Sequence, residues 1–597
     1  MKFTRQYKFI AACFLSGMML VASSCKKDFL NQVPDDRLSI DDVFKRQVTT
    51  EQYLANVYNQ IRSETDWNTG TPWEGLSDEI DVTYNNYATY AMNLGNWDRN
   101  RGDYNYWTHY YKAIRSASFF LEHVDENKEL TPELLQQFKG EARFLRAYFY
   151  FMLMRQYGPV VIMPEKTIAP DATIEEMSIP RSSYDDCVKY VAGEMDKALA
   201  DVPEWQSNTR DYQRIKKAMI LAYKSRLLLY AASPLFNGNT DYAEFLSKDG
   251  KQLISQQADV NKWSDAAAAA KAVIDMPYFE LYKEMTNGKI DAMKSCKNVF
   301  LTDWNKEIIM ARVSDMFSHD KNGSPYKVGG WSSWGPTQQV VDDFFMANGR
   351  SITDPLSGYV ETGYSTAADA YTTANTYNMY VGREPRFYIA ITYHGSKWLN
   401  AVAGAGGQPI TVEMTNGGNS GKYSGANWSR TGYCMRKFAH PSSDLVQNRI
   451  AGRMEVHMRL GEIYLNYVEA LNESDPTHPD ILKYLNLIRE RAGIPLYGDA
   501  ALPAPTGQDA MRQAIRRERR IELAFESHRF FDTRRWKIAE QTDGGAFYGM
   551  NIEGKTNAEF FRRTLFETRT FDKKYYLWNI VQSELNRNKN LVENPGW

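Results

Sequence analysis

The chain has 597 residues and a formal net charge of −2, so its charge indicates neither a nucleic-acid-binding protein nor a basic membrane-binding surface. Five cysteines occur without a CxxC motif, which excludes a disulfide framework and a cysteine-based metal site of the usual spacing. Aromatic residues make up 13% of the chain. Because Tyr and Trp carry a polar edge, we expect many of them in loops or at the surface.

The N-terminus has the order of a secretory signal. Three basic residues lie within positions 2–8, and an apolar run of about 14 residues follows at 9–22. This run is too short to span a membrane, which takes about 20 residues. Small residues precede Cys25, as in the lipobox of bacterial lipoproteins. We predict a signal peptide at 1–24, lipidation of Cys25 and a tether at 25–39; the alternative is an ordinary signal peptide with an incidental cysteine.

Helical periodicity dominates the rest of the chain. The predicted helices are 41–61, 106–123, 132–157, 184–199, 214–229, 263–274, 456–471, 481–492 and 508–526. The segment 63–105, between the first two helices, is rich in Gly, Asn, Asp, Trp and Tyr, and loops of this length are uncommon unless they are functional. From 277 to 450 periodicity weakens and turn residues increase, so we predict a loop-rich region with a few short helices and strands.

The helices pair naturally into four antiparallel hairpins. The pairs are 40–62 with 105–124, 132–156 with 184–200, 214–232 with 261–275, and 455–471 with 478–493. Each hairpin leaves an apolar face that stacking would cover, as in tetratricopeptide-type arrays. The linkers are unequal and no regular 34-residue repeat is present, so the pattern indicates stacked hairpins rather than true repeats.

Two aromatic segments are candidate ligand-binding sites. A sugar ring offers an apolar face to a flat aromatic side chain and a rim of hydroxyls to Asn, Asp and Arg, and both residue types are interleaved at 63–105. The glycines around Trp331 and Trp334 favour a second accessible platform. The alternative is that these aromatic side chains pack the loops onto the helices. The predicted ligand contacts are Trp67, Trp73, Asp78, Tyr84, Tyr87, Trp97, Arg99, Trp331 and Trp334.

Other chemistries have weaker support. The carboxylates of 77–81 could be a glycoside-hydrolase pair, but acidic clusters in loops are common and that reaction needs a defined carboxyl separation. No HExxH, phosphate-binding or dinucleotide-binding motif occurs, so we predict no catalytic residue, no metal and no cofactor. On the helix 508–526, Glu518, Glu522 and Glu526 recur among arginines, which predicts an ion-paired face rather than a basic binding patch.

Several segments, in order along nearly the whole chain, resemble the SusD/RagB family of outer-membrane nutrient-binding lipoproteins. They are GEARFLRAY (140–148), LYAASPLFN (229–237), REPRF (383–387), RLGEIYLNYVEA (459–470), RRERRIELAFESHRFFDTRRW (516–536) and the closing ENPGW (593–597). The resemblance implies a mainly α, single SusD-like domain over 40–597. Helical hairpins would occupy about 40–275 and 455–526, and a variable, loop-rich region about 277–450 would carry the ligand site.

The resemblance also implies a function. A lipid-anchored protein of the cell outer membrane, exposed at the surface, would capture an oligosaccharide or a peptide and deliver it to a SusC-like TonB-dependent transporter barrel. It would not be an enzyme, it would bind no nucleic acid, and only its lipid would enter the membrane. The alternatives are a secreted glycoside hydrolase and a helical-repeat scaffold or adhesin that binds protein alone.

Overall fold

The structure, a computed structural model, describes residues 40–63, 72–100, 102–169, 171–205, 212–314, 316–401 and 408–597. The predicted signal peptide, Cys25, the tether and Trp67 lie outside these ranges. The fold is mainly α-helical, as predicted. In the described ranges, no helix has both the length and the apolar character of a membrane span.

Helices occur along the whole described part of the chain. In the first half they are α1 (Ile40–Lys45), α2 (Gln47–Tyr58), α3 (Ala88–Asn93), α4 (Trp107–His123), α5 (Pro132–Tyr157), α6 (Ile174–Met177), α7 (Tyr184–Asp201), α8 (Lys217–Ala232) and α9 (Asn261–Ile274). The second half contains α10 (Ala292–Asn298), α11 (Phe317–Gly323), α12 (Gln338–Asp343), α13 (Pro385–Ala390), α14 (Leu460–Ser474), α15 (Asp480–Ala492), α16 (Gln508–Glu522), α17 (Arg529–Arg535), α18 (Ala539–Thr542), α19 (Asn557–Phe560) and α20 (Gln582–Arg587).

All four predicted helix hairpins form. Helix α2 packs against α4, α5 against α7, α8 against α9, and α14 against α15. Further contacts join α4 to α5, α7 to α8 and α9 to α14, so the hairpins stack into one continuous array. The shared interior is a large apolar core that also takes in residues of the C-terminal segment 575–591.

Local signals explain where these helices begin and end. The Thr131 hydroxyl accepts a hydrogen bond from the Leu134 amide at 3.3 Å, Pro132 occupies the first turn of α5, and the helix ends at Gly158 with φ +73°. The predicted helix 41–61 is interrupted at Arg46, whose backbone is extended, and the Thr49 hydroxyl donates to the Val43 carbonyl at 2.7 Å. Threonine thus satisfies a carbonyl that a continuous helix would have bonded.

The strands are short and form two-stranded antiparallel sheets. They are β1 (Ile80–Val82), β2 (Met285–Thr286), β3 (Lys289–Ile290), β4 (Ile308–Ser314), β5 (Trp334–Pro336), β6 (Ile391–Thr392), β7 (Lys397–Ala401), β8 (Pro409–Thr411), β9 (Cys434–Met435), β10 (Arg453–Arg459), β11 (Gly545–Met550) and β12 (Arg563–Arg569). Most lie in the region predicted to be loop-rich, which has a second apolar core. Pairing of β1 with β5 brings the segment after residue 80 onto this region.

A buried ion-pair network lies where α16 meets the loop-rich region. Glu522 bonds Arg386 at 3.0 Å, Arg459 at 2.8 Å and Arg491, and Glu518 also bonds Arg386 at 2.7 Å. The predicted ion pairing of this helix is confirmed, but its charges are buried rather than solvated. Arg386 belongs to the segment 383–387, Arg459 to the segment 459–470 and Arg491 to α15, so charged residues of both motif segments stabilise the fold. Losing one partner of a buried pair costs about 3–5 kcal/mol.

Candidate functional site

Two of the predicted tryptophans are part of the interior. Trp73 packs 4.9 Å, between ring centroids, from Phe530 and has 6% of its surface exposed. Trp97 stacks on Tyr575 at 4.7 Å and contacts Trp578 at 4.2 Å. These rings join the segment 72–100 to α17 and to the C-terminal segment, and they present no open face in this structure.

The two predicted charged contacts are held by ion pairs. Asp78 is buried and accepts hydrogen bonds from Arg520 at 2.6 Å and from Arg529 at 2.8 Å. Burial alone would raise the pKa of Asp78, but the two guanidinium groups outweigh it and hold that pKa well below its usual range. Arg99 is half-buried; its guanidinium lies 3.6 Å from a Glu593 carboxylate oxygen and donates to the Gln582 side chain at 3.1 Å.

The tryptophans at 331 and 334 have different environments. Trp334 lies on β5 with its side chain fully buried, whereas Trp331 is half-buried and packs 6.2 Å from the Phe317 ring. A Cβ at Gly330 would lie 2.1 Å from the Ser324 carbonyl oxygen. Glycine is therefore needed at position 330, where the two backbone segments approach closely. The prediction that both indoles are exposed is wrong for Trp334, which is buried.

An aromatic surface remains accessible beside these packed side chains. It consists of Tyr84, Tyr87, Tyr326, Tyr423 and Trp428, of which Tyr326 is 42% exposed and the others are half-buried. The rings of Tyr84 and Tyr87 meet edge to face at 5.3 Å, and those of Tyr326 and Tyr423 stack at 5.0 Å. Burial raises the pKa of Tyr84 to about 12, and the neighbouring phenols of Tyr87 and Tyr423 contribute to the rise. The Tyr84 phenol is therefore neutral at physiological pH.

Polar groups border the aromatic surface. The Tyr84 hydroxyl donates to the Asn427 side-chain oxygen at 2.5 Å, and the Trp428 indole N–H donates to the Gly425 carbonyl at 3.0 Å. Asn85 and Asn86 are exposed between the two tyrosines of the first segment. The Lys422 ammonium lies 5.2 Å from the Trp428 ring centroid, a cation–π contact that orients the indole.

A buried charge cluster supports this surface from beneath. Arg430 donates to the Thr83 carbonyl at 3.0 Å, lies 3.3 Å from Glu567 and stacks 4.8 Å over the Tyr90 ring. Arg569 donates to the Ile80 carbonyl at 3.1 Å. These contacts fix the backbone that leads from β1 to Tyr84, so the aromatic surface is built on an ordered base.

Sequence reasoning found two of the five residues of the aromatic surface, Tyr84 and Tyr87. It missed Tyr326, Tyr423 and Trp428. A signal was present, because 416–428 mixes Gly, Ser, Asn, Tyr and Trp as densely as 63–105 does. The contact of 416–428 with Tyr84, through the Asn427 side chain, depends on the tertiary structure.

Comparison with known proteins identifies the family. The model described as the SusD family matches residues 306–597, and a model described as "Starch-binding associating with outer membrane" matches residues 28–229. The chain belongs to the SusD/RagB family. The two matched regions leave out residues 230–305, which include α9, and they contain all three segments of the aromatic surface.

One curated relative of this SusD-family chain matches most of its length, and another matches about a quarter of it. It is 20% identical to a SusD-like protein of Bacteroides ovatus over 87% of its own length and 80% of that protein, and 34% identical to SusD-like protein P2 of Formosa agariphila over 24% of its length and 26% of that protein. A solved SusD-like protein of Bacteroides fragilis superimposes with a TM-score of 0.75 at 24% identity, over 94% of this chain and 99% of the other. A laminarin-binding SusD-like protein superimposes with a TM-score of 0.56 at 17% identity, over 93% and 100%.

Proposed function

We propose that this SusD-family protein captures an oligosaccharide on the aromatic surface. The observation that carries the proposal is the accessible group of tyrosine and tryptophan rings bordered by amide side chains. Ring faces bind the apolar C–H faces of sugars, and the amides of Asn85, Asn86 and Asn427 can bond their hydroxyls. Support comes from the family model described as starch-binding and from the laminarin-binding structural neighbour.

We assign Tyr84 and Tyr87, among the residues predicted from sequence, to direct ligand contact. Trp73, Trp97, Trp334 and Asp78 are assigned to the fold, because their side chains are buried. Trp331 stays a candidate through its half-exposed ring. A peptide ligand is the second candidate, since aromatic rings and amides also suit a peptide backbone.

We further propose that the protein acts at the outer membrane and passes its ligand to a SusC-like TonB-dependent transporter barrel. The description "associating with outer membrane" supports this location, and the predicted lipid on Cys25 would supply the anchor. Mass spectrometry of the mature N-terminus tests the anchor, with unmodified Cys25 as the contrary result. Co-purification of a barrel from outer membranes tests the partner.

A hydrolase is disfavoured by the environment of the 77–81 carboxylates. Asp78 is bonded to two arginines, and Asp81 is buried against Arg430 and Arg569. Glycoside hydrolysis needs two carboxyls that reach opposite sides of a substrate bond, and these side chains are enclosed by protein. Product release from glycans incubated with purified protein would contradict the non-enzymatic proposal.

Calorimetry on a panel of soluble glycans tests the binding proposal. We expect micromolar dissociation constants, about −8 kcal/mol at 1 μM, because ordering a flexible chain opposes binding. Tyr326→Ala and Trp428→Ala should each weaken binding by about tenfold or more. Tyr548→Ala is a matched control, because Tyr548 is also 42% exposed but lies on β11.

The outcomes separate the hypotheses. Equal affinities for the wild type, Tyr326→Ala and Trp428→Ala would place the ligand elsewhere. An absence of binding to every glycan, with retained binding to a membrane barrel, would favour the scaffold alternative.

A further inference from the structure

A second concave site lies between α4 and the segment 161–168, which follows α5. It is a pocket of about 120 Å³. Its apolar lining residues are Tyr111, Ile114, Met163, Pro164 and Ile168. An apolar cavity of about 150 Å³ can hold a benzene ring. The pocket therefore suits an apolar group of about four to six carbons.

Helix α4 forms one wall of the pocket. Its lining residues Tyr111, Ile114, Arg115 and Ser118 are spaced by three or four positions, so they lie on one face of the helix. Ile114 is buried and belongs to the large apolar core of the helical array. This wall is therefore part of the packed scaffold.

Hydrogen bonds hold the segment 161–168 against this wall. The Tyr111 hydroxyl donates to the Val161 carbonyl at 3.0 Å and accepts from the Val161 amide at 2.8 Å. Further along, the Arg115 guanidinium donates to the Ile168 carbonyl at 2.8 Å. Because the segment is fixed near both of its ends, the pocket is formed before any ligand arrives.

Two cationic side chains border the pocket. Arg115 and Lys166 are both exposed, and neither forms an ion pair with a carboxylate among the described residues. The acidic side chains of this neighbourhood, Glu122 and Glu165, have other partners. Glu122 accepts hydrogen bonds from the Thr167 hydroxyl at 2.7 Å and amide at 3.2 Å, and Glu165 pairs with a buried arginine of α5 at 2.8 Å. Both cations at the pocket are thus available to an anion.

We infer that this pocket binds a small monocarboxylate with an apolar tail of about four to six carbons. The tail would fill the apolar lining, and the carboxylate would bond Arg115 and Lys166. The bond to Ile168 uses one N–H group of the Arg115 guanidinium and leaves the others for a carboxylate. An inorganic anion would leave the apolar lining exposed to water, and a neutral apolar molecule would leave both cations without a partner.

The pocket shares no residue with the aromatic surface. This inference and the proposed oligosaccharide binding can therefore fail separately. Lys166→Gln should leave glycan affinity unchanged, and Tyr326→Ala should leave carboxylate binding unchanged.

The test titrates the purified protein, carrying 13C in its methionine methyl groups, with hexanoate, hexanamide and acetate. Hexanoate and hexanamide share the tail, whereas hexanoate and acetate share the charge. Met163 lines the pocket, and the NMR signal lost in Met163→Leu assigns its methyl group. We expect hexanoate to shift this signal in a saturable way, with a dissociation constant of about 1 mM, as expected of so small a ligand. The other two probes should bind at least about fivefold more weakly.

Substitutions separate the contributions of charge and tail. Arg115→Gln and Lys166→Gln, at exposed positions, should retain the fold and weaken hexanoate binding by about threefold or more, with hexanamide binding unchanged. Lys112→Gln is the matched control, because Lys112 is also an exposed cation on α4 but does not line the pocket. Ile168→Ser should weaken hexanoate and hexanamide binding alike, because it removes apolar lining.

Three results would overturn the inference. The first is a Met163 signal that does not move at hexanoate concentrations about ten times the expected dissociation constant. The second is equal affinity for hexanoate and either of the other two probes, because charge or tail would then play no part. The third is a loss of hexanoate affinity in Lys112→Gln as large as in Lys166→Gln, which would indicate a general charge effect.

Discussion

The segment 72–100 contains two groups of aromatic side chains in opposite environments. Trp73 and Trp97 pack into a core built by α17 and the C-terminal segment, whereas Tyr84 and Tyr87, between them in sequence, lie at an accessible surface. The difference comes from their partners. Each tryptophan packs against several other aromatic rings, while the Tyr84 hydroxyl bonds the Asn427 side chain in a polar loop. Similar composition thus serves stability in one group and recognition in the other.

The largest effect on stability is expected for a substitution of a buried tryptophan. Trp73→Ala should lower the free energy of unfolding by about 4 kcal/mol, because it removes an indole packed against Phe530, Phe531 and Trp578 and leaves a cavity. Urea unfolding followed by circular dichroism measures it, with Tyr326→Ala as the exposed control. A loss below about 1 kcal/mol would mean that Trp73 is not a core residue.

Asp78→Asn should lower the free energy of unfolding by about 3 kcal/mol, because two buried arginines lose their carboxylate partner. The contribution of Asp78 to the stability of the wild type should also depend on pH. The folded pKa of Asp78 is lowered, so its stabilisation is complete above the unfolded value of about 3.9 and falls as the pH drops below it.

The pH dependence gives an internal control for that variant. Unfolding curves from pH 7 to pH 3 should show a smaller loss of stability in Asp78→Asn than in the wild type. Parallel curves would mean that Asp78 is not ionised in the folded protein.

The smallest effect is expected for a substitution on the accessible aromatic surface. Tyr84→Phe keeps the ring face and removes the hydroxyl that bonds Asn427, a net contribution of about 1 kcal/mol. Glycan affinity should fall about threefold to fivefold, because the Asn427 side chain at the border of the aromatic surface is no longer held by the Tyr84 hydroxyl. The unfolding midpoint should change little. An affinity loss as large as that of Trp428→Ala would show that the hydroxyl, rather than the ring, binds the ligand.

The helical array was largely predictable. Positions such as Phe138, Ala142, Leu145, Phe149 and Met152 recur at spacings of three and four, and all are buried on α5. The pairing of helices into hairpins followed from their order in the chain, because each helix has an apolar face that a neighbouring helix must cover. The end of α16 was predicted four residues too late, since Phe525 and Ser527 adopt positive φ angles after Glu522.

The candidate site was predictable only in part. Composition indicated a functional loop at 63–105 but could not distinguish Trp73 from Tyr84, because both types of ring serve cores and binding surfaces. The aromatic surface joins three segments, near residues 84, 326 and 423, that are more than 90 residues apart in sequence. No local pattern encodes which of their faces stays open.

By itself, the sequence determined the mainly α array, the hairpin pairs, the ion pairing of α16 and the family, because periodicity and ordered motifs are local properties. Only the tertiary structure decided which aromatic side chains are accessible and that the α16 charges are buried. Burial depends on side chains contributed from distant parts of the chain, so it is settled when the elements pack together.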